Sequence, residues 1–347
     1  MERIVTYTAT SEEEGLTISS WLRRLGFSVH QIGRMKFRND GICLNGKRAR
    51  VNVTIKEGDL LALQLMDKGE DLRIGTDRAP SPGRVDWADP DPSVGPLTIL
   101  YEDPDILALH KKQGLVCHPS PGHYADTLAN GAAAYLRGQG IRGRIYLLGR
   151  LDRDTSGIVL FAKHAEAAAM LGDQRDRGEF EKIYLAEVRG VFEEGKETGV
   201  IDGPLRRIRD TMHMEISPEG KKARTFYRVL GTEKEEEENF SLVRCRIEQG
   251  RTHQIRVHMA SAGHPLAGDP LYGMGASPIG IGKEVPRAEN VDLHLHAFYC
   301  RFRQPFTGEE ILIRDPAPAW ALRYKAFRSG AGNDPADVSG KIPEYGD

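Results

Sequence analysis

Three segments of this 347-residue chain carry side chains whose types and spacing can do chemistry. The first is Gly149-Arg150-Leu151-Asp152-Arg153-Asp154-Thr155-Ser156-Gly157. Asp, Thr, Ser and Gly are turn formers that bond their own backbone, so taken alone this stretch reads first as a structural loop. Yet Asp152 stands between Arg150 and Arg153, and the loop runs into an apolar strand, Ile158 to Phe161. A carboxylate held between two guanidiniums can stay ionised and poised for nucleophilic attack. The second segment is Lys182-Ile183-Tyr184-Leu185-Ala186, where Tyr184 alternates with aliphatic neighbours. A half-buried core tyrosine is the commoner fate of such a residue. The third runs Gly250-Arg251-Thr252-His253-Gln254-Ile255-Arg256-Val257-His258, continues through Gly263-His264-Pro265-Leu266, and ends in Gly268-Asp269-Pro270-Leu271-Tyr272-Gly273. A helix beginning near Thr252 places Arg256 four residues on along the same face, beside its first turn. The plainer alternative is a surface arginine.

These segments need elements to hold them. Thr98-Ile99-Leu100-Tyr101 and Ile106 to Leu109 read as short strands around a turn at Asp103-Pro104-Asp105. Thr127 to Leu136 reads as a small-residue helix, Ile158 to Lys163 as a strand and Ala165 to Arg177 as a helix. Ile183 to Val188, Phe240 to Ile247, His294 to Arg301 and Glu310 to Ile313 read as strands, and Thr252 to Ala262 as a helix. Strands outnumber helices with no βαβ rhythm, which predicts an α+β domain on a mixed, mostly antiparallel sheet.

Ahead of it lies a smaller unit. Thr17 to Leu25 predicts a helix with Ile18, Trp21, Leu22 and Leu25 on one side. Ser28 predicts the N-cap of a second helix reaching about Phe37, broken by Asn39-Asp40-Gly41. Asn45-Gly46 between Ile42-Cys43-Leu44 and Arg48 to Val53 is a hairpin signal, and Leu60 to Leu65 reads as a further strand. The expected division is an N-terminal module over 1–66, a Pro/Gly/Asp/Ser-rich linker over 67–95, a large domain over 96–328 and a disordered polar tail over 329–347.

A formal net charge of −2 argues against a polyanionic partner only if the charges are mixed, and they are not. Acids gather at Glu233 and Glu235 to Glu238. From Trp21 to Arg50, the bases Arg23, Arg24, Arg34, Lys36, Arg38, Lys47, Arg48 and Arg50 face one acid, Asp40, a net +7. Such a block can neutralise phosphates, although a solvated charged face fits the charge equally well. No apolar run approaches the roughly 20 residues that span a bilayer. Met1 to Gly15 carries acids where a secretory leader carries bases, so a cytoplasmic protein is expected. Cys43, Cys117, Cys245 and Cys300 form no CxxC pair and read as reduced thiols.

Taken together, Arg-Leu-Asp-x-x-Thr-Ser-Gly at 150–157, Lys-x-Tyr at 182–184, and Arg-x-His-Gln-Ile-Arg-x-His followed by Gly-Asp-x-x-Tyr-Gly resemble the RluA family of RNA pseudouridine synthases. Lys111, Gly114, Leu115, His118, Pro119 and Ser120 fit as well, as do Gly203-Pro204-Leu205 and Leu293 to Ala297. The resemblance covers nearly all of Pro96 to Phe327. Gly15 to Leu65 resembles the α-L fold of a ribosomal small-subunit protein, which implies a module that clamps RNA backbone. The family resemblance implies Asp152 as the catalytic aspartate, Tyr184 as the active-site tyrosine, Arg256 as the arginine paired with the aspartate, and Arg150 as a wedge entering the RNA helix as the base leaves. Arg153, Arg251 and His253, with Arg23, Arg24, Arg34, Lys36 and Arg38, are the expected RNA contacts. Gly149 stands where the family often has His, and His110 and Lys112 stand where it usually has Asn and Pro.

The reaction so implied is neither redox nor group transfer, so no cofactor and no metal is expected, and the sequence has neither a Walker loop nor GxGxxG. The expected partner is RNA, ribosomal before transfer, met by a monomer with no membrane attachment. Two rival readings differ in class. His294-x-His296 with His253 and His258 suggests a metal-dependent hydrolase, against which no third ligand or water-activating carboxylate stands at a matching spacing. A non-catalytic RNA-binding or ribosome-assembly protein on the same fold is the other.

Overall fold

The computed structural model describes residues 3–65, 73–75, 90–141, 144–273 and 292–328. Most of the expected linker, and the whole expected tail, lie outside these residues.

The N-terminal unit contains β1 (Ile4–Thr8), α1 (Ile18–Arg24), α2 (Val29–Lys36), β2 (Ile42–Leu44), β3 (Lys47–Arg48) and β4 (Leu60–Gln64), with an antiparallel sheet in the order β1-β4-β2-β3. Both helices start where the sequence places them. The Thr17 side chain accepts from the Ser20 amide, and Ser28 and Gln31 close a reciprocal capping box. Ile18, Trp21 and Leu22 of α1 and Ile32 and Met35 of α2 bury one face against Leu61 and Leu63 of β4. The hairpin turns at Asn45, with φ of 52°. Its second strand stops at Arg48 rather than Val53, because the carbonyls of Val51 and Val53 accept the amides of Ser19 and Ile18. That run satisfies the exposed donors of α1's first turn instead of pairing in the sheet.

The larger unit continues with β5 (Arg73–Gly75), β6 (Thr98–Glu102), β7 (Ile106–Lys111), α3 (Leu128–Gly138), β8 (Arg144–Leu148), β9 (Ser156–Ala162), α4 (Ala165–Asp176), β10 (Glu181–Arg189), β11 (Thr198–Asp202), β12 (Leu205–Arg207), β13 (Met214–Ile216), β14 (Arg224–Glu235), β15 (Glu238–Ile247), α5 (Gln254–Ser261), β16 (Leu295–Arg303), β17 (Glu310–Arg314), α6 (Ala319–Leu322) and α7 (Lys325–Arg328). Its main sheet runs β11-β14-β15-β10-β16-β9-β7-β6, with β17 on β16, β8 on β9 and β5 on β8. Among the described residues, pairing is antiparallel except for β16 with β9 and β5 with β8. This is the mixed, mostly antiparallel α+β architecture that the sequence predicts.

The centre of the sheet is covered on both faces. In β7, Leu107 and Leu109 join α3 in one core, while Ile106 and Ala108 join Phe302 and Ile313 in another. That is why β7 and β9 read as continuous apolar runs without alternation. The acidic run falls at the tip of the β14–β15 hairpin, where Glu235 pairs with Arg323 and Glu238 with Arg189.

The two units share a core. Ala162, Ala167, Met170 and Phe306 pack among the N-terminal hydrophobics. Arg3 grips Asp105 through Nε and Nη2 at 2.7 and 2.8 Å, and Asp105 also binds His164 Nε2 at 2.9 Å. Burial pushes the Asp105 carboxyl up, but the hydrogen bonds of His164 and Arg3 win and hold it at about 2. Arg34 and Arg38 reach buried Glu166 at 3.5 and 3.7 Å. Arg38 also donates to the carbonyls of Gln64 and Leu65, so its guanidinium is engaged inside the protein.

Candidate functional site

Asp152 sits in the loop between β8 and β9, and the loop is held from below. The Lys111 ammonium, fully buried, donates to the carbonyls of Arg153, Leu115 and Lys112 at 2.7, 2.8 and 3.0 Å. Burial pulls Lys111 down to about 8. Cys117 Sγ accepts from the Leu151 amide at 3.2 Å and donates back to its carbonyl. The Arg153 carbonyl also accepts from the Gly114 amide. Gly149, one of the three departures from the family pattern, has φ of +79°, which a side chain resists. On the far side of the loop, Gly157 lies so close to β16 that a Cβ would meet the Ala297 carbonyl oxygen at 2.3 Å.

The loop opens into a cleft lined by Asp152, Tyr184, Arg150, Arg251, His253 and Arg256, among others. Three expected catalytic residues, far apart in sequence, therefore meet. The Asp152 side chain is 21% exposed, and its Oδ2 lies 4.0 Å from Arg256 Nη1. Arg256 is 2% exposed, and its closest partner is Asp269. Its Nε and Nη2 donate to the two Asp269 oxygens at 2.8 and 2.7 Å, a bidentate fork that fixes the guanidinium plane. Asp269 in turn accepts the amides of Leu271 and Tyr272. Burial pushes the Asp269 carboxyl up, and the bonds from Arg256 overcome this, so it stays below the usual carboxylate range.

Arg256 arrives from a shorter helix than the sequence suggests. His253 adopts a left-handed φ of 54° and caps α5 with no side-chain bond, so Thr252 lies outside the helix. The expected alignment of Thr252 and Arg256 along one helical face fails for that reason. Thr252 Oγ1 instead accepts from Arg150 Nη2 at 2.7 Å and fixes the rim. His253 Nδ1 shares a hydrogen bond with the Tyr272 hydroxyl, and burial pushes the imidazole down to about 4. Arg256 also lies over the Tyr272 ring.

Tyr184 stands at a register shift in the β10–β16 pairing, a local irregularity that re-aims side chains. It is buried, with the Lys182 ammonium 5.6 Å from its ring centre. Burial, and after it the charge of Asp152, push its phenol well above the ordinary tyrosine range. The group is a neutral aromatic surface near pH 7.

Of the other expected residues, Arg150, Arg251 and His253 line the cleft and the rest do not. Arg153 donates Nε to the Gly114 carbonyl, and Arg251 to that of Lys222. Arg23, Arg24, Arg34, Lys36 and Arg38 belong to the N-terminal unit and line no part of this cleft. The histidines weighed as metal ligands have separate commitments. His258 binds Thr225 and Gly203, His294 binds Glu187 and stacks on Trp320, and His296 binds Ser156. Sequence reasoning gave no role to Asp269, Tyr272, Thr252, Lys111 or Cys117. Lys111, Asp269 and Tyr272 stood within the recognised motifs, and that was their one signal.

Comparison with known proteins adds an independent line. A family profile described as RNA pseudouridylate synthase matches residues 105–261. An uncharacterized RNA pseudouridine synthase of Bacillus subtilis, YjbO, is 32% identical over 304 residues, spanning 87% of this chain and 96% of its own. The ribosomal large subunit pseudouridine synthase D of Neisseria meningitidis serogroup A is 34% identical over 279 residues, 78% of this chain and 72% of its own. Among solved structures, human RNA Pseudouridylate Synthase Domain Containing 1 is similar with a TM-score of 0.50 and 27% identity, covering 65% of this chain and 85% of that one.

Proposed function

The chain belongs to the RNA pseudouridine synthase family, and on that premise we propose that it isomerises specific uridines of large-subunit ribosomal RNA with Asp152 as the nucleophile. The observation that carries the catalytic assignment is the Asp152 carboxylate at the cleft, 4.0 Å from an arginine whose other edge is locked by Asp269. The ribosomal assignment rests on relatives named for the large subunit. Transfer RNA is the alternative substrate.

Pseudouridine formation breaks the N1–C1′ bond, turns the uracil and joins C5 to C1′, and the C5 proton leaves. Asp152 must be an anion for this, whether it attacks C1′ or C6 or drives a glycal-like elimination. The Arg256 guanidinium favours that anion. Because Asp269 fixes the guanidinium, little reorganisation is needed when negative charge moves at Asp152. Tyr184 offers a flat, neutral face on which the detached uracil stacks while it turns. Its raised pKa keeps the phenol protonated, so almost no phenolate is present near pH 7 to act as a base, and stacking is the role we assign to it. A uridine must leave its helix to reach the cleft, at an unstacking cost of a few kcal/mol. In this reading Arg150, whose guanidinium donates to Thr252 at the rim, fills the gap. Arg153, Arg251 and His253 border the path of the flanking RNA, and the basic N-terminal unit clamps backbone phosphates. Arg38, and in part Arg34, serve the junction between the units instead. The reaction needs no electron carrier and no group donor. We infer a cytoplasmic enzyme acting as a monomer.

The test compares total RNA from cells with the gene intact, deleted, or carrying Asp152→Asn, mapping pseudouridine by carbodiimide-dependent reverse-transcription stops. The reading predicts that the same stops vanish in the deletion and in the variant, and that they lie in large-subunit RNA. Stops unchanged in both would overturn it in favour of RNA binding without catalysis.

A further inference from the structure

Phe37 is the most exposed large apolar residue among those described, with 80% of its surface open. It follows α2 directly as the C-cap residue, in right-handed backbone geometry. The helix buries Gln31, Ile32 and Met35, and two residues beyond Met35 is a helical rotation of about 200°, which points Phe37 away from the core. A single exposed apolar side chain is ordinary. What surrounds this one is not. The Lys36 ammonium lies over the ring, 4.9 Å from its centre. Arg48 of β3 donates Nη2 to the Lys36 carbonyl at 3.4 Å, which holds a second cation at the same helix end. Lys36, Lys47 and Arg48 are all exposed. Arg34 and Arg38, the neighbouring bases of the same segment, turn instead toward Glu166 at the junction of the two units.

An open aromatic face flanked by cations fits an unpaired nucleobase and its phosphates. We propose that Phe37 is a base-stacking platform, on which one unpaired base of the RNA packs while Lys36 and Arg48 take the adjoining phosphates. The N-terminal unit then selects RNA with an unpaired nucleotide at a fixed distance from the target uridine. A module that only clamps backbone does not make that selection. This inference rests on the proposed function for the identity of the RNA, but not for the chemistry of the contact. Every nucleobase has a π face, so the contact tolerates sequence and reads strandedness.

The test uses the full chain and a twelve-nucleotide oligouridine carrying one 2-aminopurine, with the same strand in duplex as comparison. Phe37→Ala and Phe37→Leu are expected to weaken single-strand binding roughly tenfold or more and to leave the slope of log K against log salt unchanged. Phe37→Trp keeps the affinity, and its emission is quenched by the bound strand. Lys36→Ala lowers the salt slope by about 0.7. Thermal unfolding confirms that each variant folds. Phe37→Ala affinity within twofold of the parent overturns the proposal. So does sedimentation showing that Phe37 holds two copies of the chain together. The parent's ability to form pseudouridine is measured on the same preparation. Failure there refutes the synthase reading, while the binding series still decides the stacking claim.

Discussion

Replacing Asp269 with Asn probes the arrangement at its most concealed point. The substitution keeps the shape and one acceptor oxygen but removes the charge that faces Arg256 across two hydrogen bonds of 2.8 and 2.7 Å. Arg256 is 2% exposed and Asp269 completely buried at its side chain, so solvent can replace little of what is lost. Breaking a buried pair on one side costs about 3–5 kcal/mol, because the remaining charge is stranded. For a domain of this size about 1 kcal/mol moves Tm by roughly 2–4 °C, so a fall of about 6–20 °C is expected. Among the described residues the anion left near the stranded guanidinium is Asp152, at 4.0 Å, and the guanidinium is expected to close on it. On the proposed mechanism a carboxylate gripped this way is no longer free to attack, so single-turnover pseudouridine formation is expected to fall by roughly 100-fold or more, equivalent to about 3 kcal/mol. The decisive control is the double variant Arg256→Met with Asp269→Leu. Apolar replacement of both partners is expected to recover most of the stability and none of the activity. The assays are thermal unfolding and single-turnover kinetics on the same preparations. Parental stability in Asp269→Asn, or an active double variant, refutes the reasoning.

Four other outcomes follow from the same geometry. Gly157→Ala forces a Cβ to 2.3 Å from the Ala297 carbonyl at a φ of +111°, and is expected to cost about 2–4 kcal/mol in urea unfolding and to displace the adjoining Asp152 loop, lowering activity with it. Lys111→Met leaves carbonyls of the Asp152 loop without their ammonium donor, and is expected to lower stability by about 2–3 kcal/mol and kcat far more than RNA affinity, read by comparing rate with equilibrium binding. His253 and His296 are both held at about 4 by burial, so below an unfolded value of about 6.5 the unfolded chain takes up protons the native chain refuses. Their contribution to stability is therefore full above about pH 6.5 and declines as pH falls toward 4, and His296→Phe makes stability in urea titrations fall less over that range than in the parent. Exhaustive chelation is expected to leave the rate unchanged, since among the described residues no three His, Cys, Asp or Glu side chains gather in a way that could hold a metal ion.

Local signals were the legible part of this molecule. Ser28 caps the helix it announces, and Thr17 and Thr127, read as the first residues of their helices, prove to be the caps one residue ahead of them, since a capping side chain and the amide it serves lie within three residues. The buried strands β7, β9 and β10 stood out because both of their faces are covered. β1, β8 and the stretch from β11 to β14 escaped notice. β11 is polar and half-exposed at the sheet's edge, and β14 runs from buried Phe226 to a charged tip, so neither keeps one period along its length. At the site, Asp152, Tyr184 and Arg256 were legible through motifs, and the structure brings all three to one cleft. The Arg256–Asp269 fork was not legible, because nothing in a spacing of thirteen residues dictates a salt bridge across a helix and the loop that follows it. Nor does any sequence pattern announce that His253 turns left-handed, which moved the start of α5 by two residues. The charge count marked the N-terminal unit as basic, but only tertiary contacts divide Arg34 and Arg38, which face Glu166, from Lys36, which faces outward.

The most direct test of Asp152 as nucleophile is tritium release from large-subunit ribosomal RNA labelled at uridine C5, transcribed without modification and incubated with the purified chain. Joining C5 to C1′ expels that hydrogen into water. The parent is expected to release tritium in stoichiometric proportion to its target uridines, and Asp152→Asn, folded and binding the same RNA, none. Release by Asp152→Asn at the parental rate would contradict the account.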